Sequence, residues 1–248
     1  MPETPPREAQ RQEAIDQPLL EVSGLEAGYG ESDVLHRLSF AVRQGEVVTL
    51  LGRNGAGKTT TLKAIMGLIA KRSGSIRFEG NETIGLSPRR IARLGIAHCP
   101  EDRGIFSSLD VRENLMLPPV IKEGGLHIDE IFDLFPNLRN RLTSQGTKLS
   151  GGEQQMLAIA RILRTGSRLL LLDEPTEGLA PVIVEQIGRT IKRLKDLSYT
   201  IVLVEQNFHF ARSVAERHFV IEHGRVVDEI ADGDLSASLE KLNAYLGV

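Results

Sequence analysis

The chain has 248 residues, of which 41% are hydrophobic and 25% are charged, which is ordinary for a globular protein with one large domain or two small ones. A net charge of −3 gives no electrostatic reason to expect nucleic-acid binding, and the single cysteine, Cys99, can form neither an internal disulfide nor a metal cluster alone. Because no apolar run approaches the length of a transmembrane helix and the N-terminus lacks a signal-peptide pattern, we expect a cytoplasmic protein that reaches a membrane only through a partner.

The first hundred residues predict a tail followed by strands and short helices. Residues 1–18 are rich in Pro, Glu, Gln and Arg, so we expect a disordered tail. Apolar and β-branched runs predict strands, and apolar residues at helical spacing predict helices. The predicted elements are strands at residues 19–25, 34–42 and 46–51, a helix at 60–69, a strand at 74–78, a short helix opening at Ser87-Pro88 and a strand at 96–99.

The rest of the chain first loses and then regains its strand signals. Residues 103–148 read as a small helical insertion, with helices near 128–135 and 138–142. Apolar strands and amphipathic helices then alternate, which predicts a mostly parallel sheet covered on both faces. The predicted elements are a helix at 153–163, a strand at 169–172, a helix at 181–197, a strand at 200–204, a helix from Phe208 and a β pair around Gly224.

A glycine-rich stretch separates the strand at 46–51 from the next helix and matches the phosphate-binding pattern G-x-x-x-x-G-K-[ST]. Its glycines let backbone N–H groups converge on one anion at the positive end of the helix dipole. Lys58 can then reach the β- and γ-phosphates of a nucleotide, and the Thr59 hydroxyl can ligate Mg²⁺. A chance glycine turn is the alternative, but the flanking strand and helix disfavour it. The candidate nucleotide-binding residues are Gly52, Arg53, Asn54, Gly55, Ala56, Gly57, Lys58, Thr59 and Thr60.

Two carboxylates follow the apolar strand at 169–172. This pattern predicts that Asp173 holds Mg²⁺, directly or through water, and that Glu174 acts as general base on the attacking water. A strand that simply ends in an acidic turn is the alternative. The upstream phosphate-binding loop favours the catalytic interpretation.

The stretch LSGGEQQ at residues 149–155 predicts a second anion site. Ser150, Gly151 and Gly152 open a helix there, and the alternative is an ordinary serine-capped helix. The stretch resembles the LSGGQ signature of the ATP-binding-cassette (ABC) ATPases, with Glu153 in place of the usual Gln. In that family the signature binds the γ-phosphate of ATP held by the other subunit of a head-to-tail dimer.

The resemblance extends from residue 19 to about residue 247. It implies a P-loop NTPase core with a mostly parallel sheet, an N-terminal antiparallel β subdomain and a helical insertion, forming one ABC ATPase domain over 19–248 whose helical subdomain begins within 103–148. It also implies that Tyr29 stacks on adenine, that Glu101 occupies the Q-loop position near Mg²⁺ and water, and that Gln206 occupies the position of the switch histidine.

Within the family, four segments are most similar to the second ATPase subunit of branched-chain amino acid importers and their urea or amide relatives: residues 100–103, 149–161, 177–181 and 204–207. The resemblance therefore implies an ATPase that powers import from the cytoplasmic face of the inner membrane. Its partners would be transmembrane permease subunits and another ATPase subunit, as a heterodimer or a homodimer. A periplasmic binding protein would take part only indirectly. Glu101, Ala180 and Gln206 depart from the general family pattern and imply a weaker ATP site on this chain.

Other functions fit the sequence less well. Urea or amide importers and lipid or lipopolysaccharide exporters use similar single-cassette chains. ABC ATPases of translation or DNA repair usually carry two cassettes or a long coiled-coil insertion. A GTPase would need an N-K-x-D motif, which this sequence lacks. The apolar segment at 104–119, which follows the Q-loop position, is our candidate for the permease-docking surface.

Overall fold

The computed structural model describes residues 17–231, so the predicted tail at 1–18 lies outside the described part except for its last two residues. The last stretch of the expected cassette, beyond residue 231, also lies outside it. Within the described part, two sheets pack with helices on their faces. No helix in residues 17–231 combines the length and apolarity needed to cross a membrane.

A four-stranded antiparallel sheet has the order β2-β1-β4-β5. Central β1 pairs Leu20 with Val42 on one side and with Phe78 on the other. The sheet confirms the predicted antiparallel subdomain, but half of it comes from chain that follows the phosphate-binding loop. The strands are β1 (Leu20–Tyr29), β2 (Ser32–Val42), β4 (Lys71–Phe78) and β5 (Asn81–Glu82).

A six-stranded sheet has the order β10-β9-β3-β8-β7-β6, and its strands run parallel except for β10. Strand β8 lies between β3 and β7, with Leu51 opposite Glu205 and Asp173 opposite Val204. The carboxyl ends of these three strands therefore meet at one edge. The strands are β3 (Val47–Leu51), β6 (Ile96–Cys99), β7 (Leu169–Asp173), β8 (Thr200–Glu205), β9 (Arg217–Glu222) and β10 (Arg225–Ala231).

Five helices connect and cover these strands. The first ends at Ile65, earlier than the predicted residue 69, because Gly67 just beyond it adopts the left-handed conformation with a φ of 72°. Proline at the start of two others agrees with their predicted beginnings. The helices are α1 (Lys58–Ile65), α2 (Pro88–Leu94), α6 (Gly151–Leu163), α7 (Pro181–Asp196) and α8 (Phe208–Val214).

Residues 103–148 form short helices and turns, as the loss of strand signals predicts. The helices are α3 (Val111–Met116), α4 (Ile128–Leu134) and α5 (Pro136–Arg139), and Gly146–Lys148 is a 3₁₀ turn. Helix α3 has no counterpart among the predicted elements; its cap is Asp110, which accepts from the Glu113 N–H at 2.8 Å. Helices α3 and α5 pack against α6, the helix that begins at the signature residues.

Both faces of the parallel sheet are buried, which explains the continuous apolar runs of its central strands. Neighbouring residues of one strand point into different cores: Val47 packs with the helical region, and Val48 packs beneath the antiparallel sheet. Strand β7 does the same with Leu170 and Leu171. The prediction of a sheet covered on both faces is therefore confirmed.

Candidate functional site

A cavity of about 480 Å³ lies at the carboxyl edge of β3, β8 and β7. The glycine loop after β3 forms one wall, and residues after β7 and β8 form the other. It thus combines segments that are far apart in sequence. Its lining residues are Val34, Asn54, Gly55, Gly57, Lys58, Thr59, Thr60, Glu101, Glu174, Glu177 and Gln206.

The loop needs its glycines for two separate reasons. Gly55 and Gly57 have φ values of 77° and 110°, which side chains with a Cβ rarely adopt. A Cβ at Gly52 would lie 2.3 Å from the Ile221 carbonyl oxygen, and one at Gly57 would lie 2.8 Å from the Leu35 side chain. The loop therefore packs directly on its neighbours and leads into α1, whose first-turn N–H groups have no partners within the helix.

Lys58 occupies the first position of α1 and is only 3% exposed. Its ammonium donates to the carbonyl oxygens of Gly52 at 2.9 Å and Arg53 at 3.1 Å, and lies 3.5 Å from Glu174 Oε1. A buried lysine needs such partners. They hold its positive charge inside the loop, beside the cavity.

Thr59 and Asp173 connect the loop to the end of β7. The Thr59 hydroxyl donates to Asp173 Oδ1 at 2.9 Å, and Asp173 is 1% exposed. Burial raises the pKa of Asp173 to about 6, and the charges of Glu174 and Glu101 add to this despite the Thr59 hydrogen bond. The carboxylates at this edge therefore repel one another, and a cation would relieve that repulsion.

Glu174 is the first residue after β7, and the carboxyl end of β8 holds it in place. Its N–H donates to the Val204 carbonyl oxygen at 3.0 Å, and Gln206 Nε2 donates to its Oε2 at 2.7 Å. Its φ of 45° is uncommon for a residue with a side chain, and such strain is frequent at functional sites. The carboxylate is 9% exposed and faces the cavity, where it could accept a proton from water.

The site fits a nucleotide with Mg²⁺. Backbone donors and Lys58 suit phosphate oxygens, while the Thr59 hydroxyl and the Asp173 carboxylate are the hard oxygen ligands that Mg²⁺ prefers. Within residues 17–231, no group of three or more His, Cys, Asp or Glu side chains could hold a metal ion by itself.

The signature residues begin α6 and do not line this cavity. Ser150 is the cap of the helix: its hydroxyl accepts from the Glu153 N–H at 3.3 Å and donates to Glu153 Oε2 at 2.8 Å. A Cβ at Gly152 would lie 2.9 Å from Ile183, so this glycine permits close contact with α7. The start of α6 thus lies apart from this cavity.

The structure brings most of the candidate residues together. Glu101, Glu174 and Gln206 share one cavity with the loop residues Asn54, Gly55, Gly57, Lys58, Thr59 and Thr60. Apart from the signature residues, the candidates that do not line it are Gly52, Arg53, Ala56, Asp173 and Tyr29, of which Tyr29 is half exposed at the end of β1. Sequence reasoning missed Glu177 in this cavity; the nearby charge of Glu174, with smaller effects of desolvation and of Glu101, raises the pKa of Glu177. It also gave Glu205 no role, although a glutamate that ends an apolar strand was a visible signal.

Comparisons with known proteins agree with this geometry. The family model described as ABC transporter matches residues 35–177. The protein is 44% identical to the high-affinity branched-chain amino acid transport ATP-binding protein BraG of Pseudomonas aeruginosa over 88% of this chain and 95% of that protein. It is 37% identical to the probable branched-chain amino acid transport ATP-binding protein LivF of Archaeoglobus fulgidus, over 84% and 90%. It is 30% identical to the lipopolysaccharide export system ATP-binding protein LptB of Escherichia coli, over 92% and 97%.

Solved structures show the same fold. A nucleotide-free ATP-binding cassette from an ABC transporter superposes with a TM-score of 0.80 at 21% identity, over 94% of this chain and 99% of the other. A dimeric cassette in a post-hydrolysis state with ADP and Pi superposes with a TM-score of 0.75 at 24% identity, over 86% and 98%. Fold and phosphate loop define a P-loop nucleotide-binding protein. The chain belongs to the ABC transporter family, of which it is an ATPase cassette.

Proposed function

We propose that the protein is the ATP-hydrolysing subunit of an importer of branched-chain amino acids, bound peripherally at the cytoplasmic face of the membrane. The observation that carries the proposal is the 44% identity to BraG over nearly the full length of both chains. The named relative transports such solutes, and the residues of the nucleotide cavity supply the chemistry. ATP and Mg²⁺ are the proposed cofactors.

The chemical roles follow from the cavity. Gly52 to Thr60 would enclose the phosphates, and Lys58 would pair its ammonium with the β- and γ-phosphate oxygens. The Thr59 hydroxyl and Asp173 would hold Mg²⁺, whose charge offsets the negative charge of the phosphates. Bound Mg²⁺ would replace the hydrogen bond between the Thr59 hydroxyl and Asp173, so both side chains would still have a partner.

Glu174 is the proposed general base. Its carboxylate would accept a proton from water, while Gln206, at 2.7 Å, orients it through the side-chain amide. Since Glu101 lines the same cavity, it would contact the bound cation or its water shell. Tyr29, exposed at the end of β1, would stack on the adenine ring.

A second ATPase subunit would complete each site. Ser150, Gly151 and Gly152 lie outside this chain's own cavity, so they would contact the γ-phosphate held by the partner. A related cassette is dimeric with ADP and Pi, which supports this arrangement. Permease subunits would receive the motion of the two cassettes, and a periplasmic binding protein would act without touching this chain.

Lipopolysaccharide export is the second candidate, since LptB shares 30% identity over 97% of its length. The lower identity makes this function the weaker one. The solute does not contact an ATPase subunit in either system. Transport assays with leucine, isoleucine and valine in the reconstituted complex would therefore distinguish the two candidates.

The proposed chemistry is tested with two substitutions that separate binding from hydrolysis. Lys58→Ala should abolish tight ATP binding, because it removes the charge that pairs with the phosphates. Glu174→Gln should retain ATP binding but slow hydrolysis at this chain's own site by roughly 10²–10⁴-fold, the usual contribution of a general base. Nucleotide binding and single-turnover hydrolysis would be measured in the assembled transporter, with the second ATPase catalytically disabled.

Each substitution has an outcome that contradicts the proposal. Unchanged ATP affinity of Lys58→Ala would refute the phosphate-loop assignment. Normal single-turnover hydrolysis by Glu174→Gln would show that another group accepts the proton. Glu123→Gln is the control, because it changes an exposed glutamate outside the cavity and should alter neither measurement.

A further inference from the structure

The carboxylate at the start of the signature helix lies where an anion is expected to bind. Glu153 Oε2 accepts from the Ser150 N–H at 2.8 Å and from the Ser150 hydroxyl at 2.8 Å. The same N–H and hydroxyl groups, at the positive end of α6, would face the γ-phosphate of the partner's nucleotide. A full negative charge bound to the cap serine would repel that phosphate and occupy its donors.

Arg141 compensates this charge from the other side. It lies in the turn after α5, where its N–H donates to the Leu138 carbonyl oxygen at 3.1 Å and its carbonyl oxygen accepts from the Ser144 N–H at 2.8 Å. Its Nε donates to Glu153 Oε1 at 3.1 Å. Each carboxylate oxygen of Glu153 thus has its own partner, with Ser150 on one and Arg141 on the other.

The protonation of Glu153 agrees with this arrangement. Burial raises its pKa, but the hydrogen bonds from Ser150 and then from Arg141 outweigh burial, and the pKa lies below the ordinary value for glutamate. Glu153 is therefore ionised at neutral pH, and protonation does not remove its charge. Neutralisation of that charge has to come from a cation beside it, and Arg141 is the cation within hydrogen-bonding distance.

We propose that Arg141 is a positioning residue for ATP hydrolysis, which neutralises Glu153 and so lets Ser150 exchange the carboxylate for the γ-phosphate of the partner's nucleotide. The inference rests on the proposed intersubunit role of the signature. Glu153 orders the start of α6, and Arg141 draws its carboxylate away from the approaching phosphate. The ammonium of a lysine could supply the charge but not the fixed direction of the guanidinium N–H.

The experiment compares charge states at the two positions in the assembled transporter. The variants are Arg141→Ala, Arg141→Lys, Glu153→Gln and the double variant Arg141→Ala/Glu153→Gln, with KM for ATP and kcat measured for each. Arg141→Ala should raise KM at least about fivefold, because the uncompensated carboxylate repels the phosphate. This increase should shrink as ionic strength rises, and Arg141→Lys should recover part of the loss.

The double variant decides the mechanism. If Arg141 acts by neutralising Glu153, removal of the carboxylate should restore KM to within about twofold of Glu153→Gln alone. A double variant as impaired as Arg141→Ala would overturn the proposal, as would an unchanged KM in Arg141→Ala. Arg141 is half exposed, so its variants should fold; thermal unfolding of each chain checks this.

If the proposed intersubunit role is wrong, the variants should give a different set of results. Ser150→Ala removes the hydroxyl that the signature would present to the partner's phosphate. If Ser150→Ala and Arg141→Ala both leave KM and kcat unchanged, the signature does not bind the partner's nucleotide, and the intersubunit role fails. If Ser150→Ala alone impairs hydrolysis, the intersubunit role stands and the inference about Arg141 is wrong.

Discussion

Glu205 is a buried carboxylate that joins two loops of the catalytic edge. It ends β8 and is 3% exposed. Its Oε1 accepts from the Thr176 hydroxyl at 2.7 Å, and its Oε2 accepts from the N–H groups of Gln206 and Asn207 at 3.3 Å each. Burial raises its pKa to about 7 although these hydrogen bonds oppose the shift; the charge of Glu174 adds a smaller upward effect.

This pKa predicts how stability depends on pH. Because the folded-state pKa lies above the ordinary value of 4.5, the folded state holds its proton more tightly than the unfolded state does. The contribution of Glu205 is therefore most favourable below about pH 4.5, and it is lost as pH rises through about 7. A glutamine at this position cannot ionise. As pH rises from about 4.5 to about 7, the unfolding free energy of Glu205→Gln should therefore increase by on the order of 3 kcal/mol relative to that of the wild type.

The measurement is urea unfolding of the full chain from pH 4.5 to 8, read as the difference between wild type and Glu205→Gln. The difference isolates Glu205, because Asp173 titrates in both proteins with a pKa of about 6. Glu123→Gln, a change at an exposed side chain, should follow the wild type. Parallel stability profiles for the wild type and Glu205→Gln would contradict the prediction.

At the scale of elements, α3 lies within the segment at 104–119, the candidate permease-docking surface. Asn114 is fully buried and fixes the loop before the helix: its Oδ1 accepts from the Phe106 N–H at 2.8 Å, and its Nδ2 donates to the Phe106 carbonyl oxygen at 2.9 Å. Val111 and Leu115 belong to the core, whereas Phe106, Met116 and Leu117 are about half exposed. The segment therefore combines a fixed backbone with an apolar surface, which suits binding to a permease.

The prediction at this scale is that Phe106→Asp prevents assembly with the permease subunits while the chain still binds ATP. The Phe106 ring is 48% exposed, so its replacement should not disrupt the core. The Arg161 guanidinium lies 5.3 Å from the ring centre, so an aspartate at this position can pair with Arg161. Co-purification with the permeases and nucleotide binding by the chain measure the two properties separately.

Val227→Asp is the matched control for that experiment. Val227 is 40% exposed on β10, at the edge of the parallel sheet opposite β6. It should assemble normally, which would show that a charge on an exposed apolar residue is not harmful in itself. Loss of both assembly and ATP binding in Phe106→Asp would mean that the residue serves the fold.

For the whole molecule, the two proposed phosphate-binding surfaces differ in electrostatics. The cavity built on Lys58 contains Glu101, Glu174 and Glu177, and its Gln206, which the family resemblance puts at the position of the switch histidine, cannot carry a positive charge. Stabilisation of the transferring phosphoryl group should therefore be weaker there. The signature surface keeps its serine and glycines. The two surfaces together predict a heterodimer in which the partner's site, closed by this signature, turns over faster.

The test of asymmetry changes the general-base glutamate of one ATPase subunit at a time to glutamine. Transport-coupled hydrolysis should fall less with Glu174→Gln in this chain than with the equivalent change in its partner. Equal losses would count against asymmetry, and cooperative hydrolysis by this chain alone as a homodimer would remove the need for a distinct partner.

Sequence patterns predict the phosphate-binding loop and the strands of the six-stranded sheet, but not α3. Apolar runs identified β3, β7 and β8 because strands buried on both faces need continuous apolar residues, and the glycine loop identified Lys58 and Thr59 because phosphate binding needs a particular backbone. Element bounds follow less directly from the sequence: α1 ends at Ile65, four residues before the predicted end, and Gly67 just beyond it has a φ of 72°.

Which polar residues meet depends on how the strands and helices pack. The strand order puts β8 between β3 and β7. As a result, Gln206 is hydrogen-bonded to Glu174, and Glu205 is hydrogen-bonded to Thr176. The pairing of Arg141 with Glu153 likewise depends on how α5 packs against α6. No sequence pattern links the residues of these contacts, because the packing of distant segments brings them together.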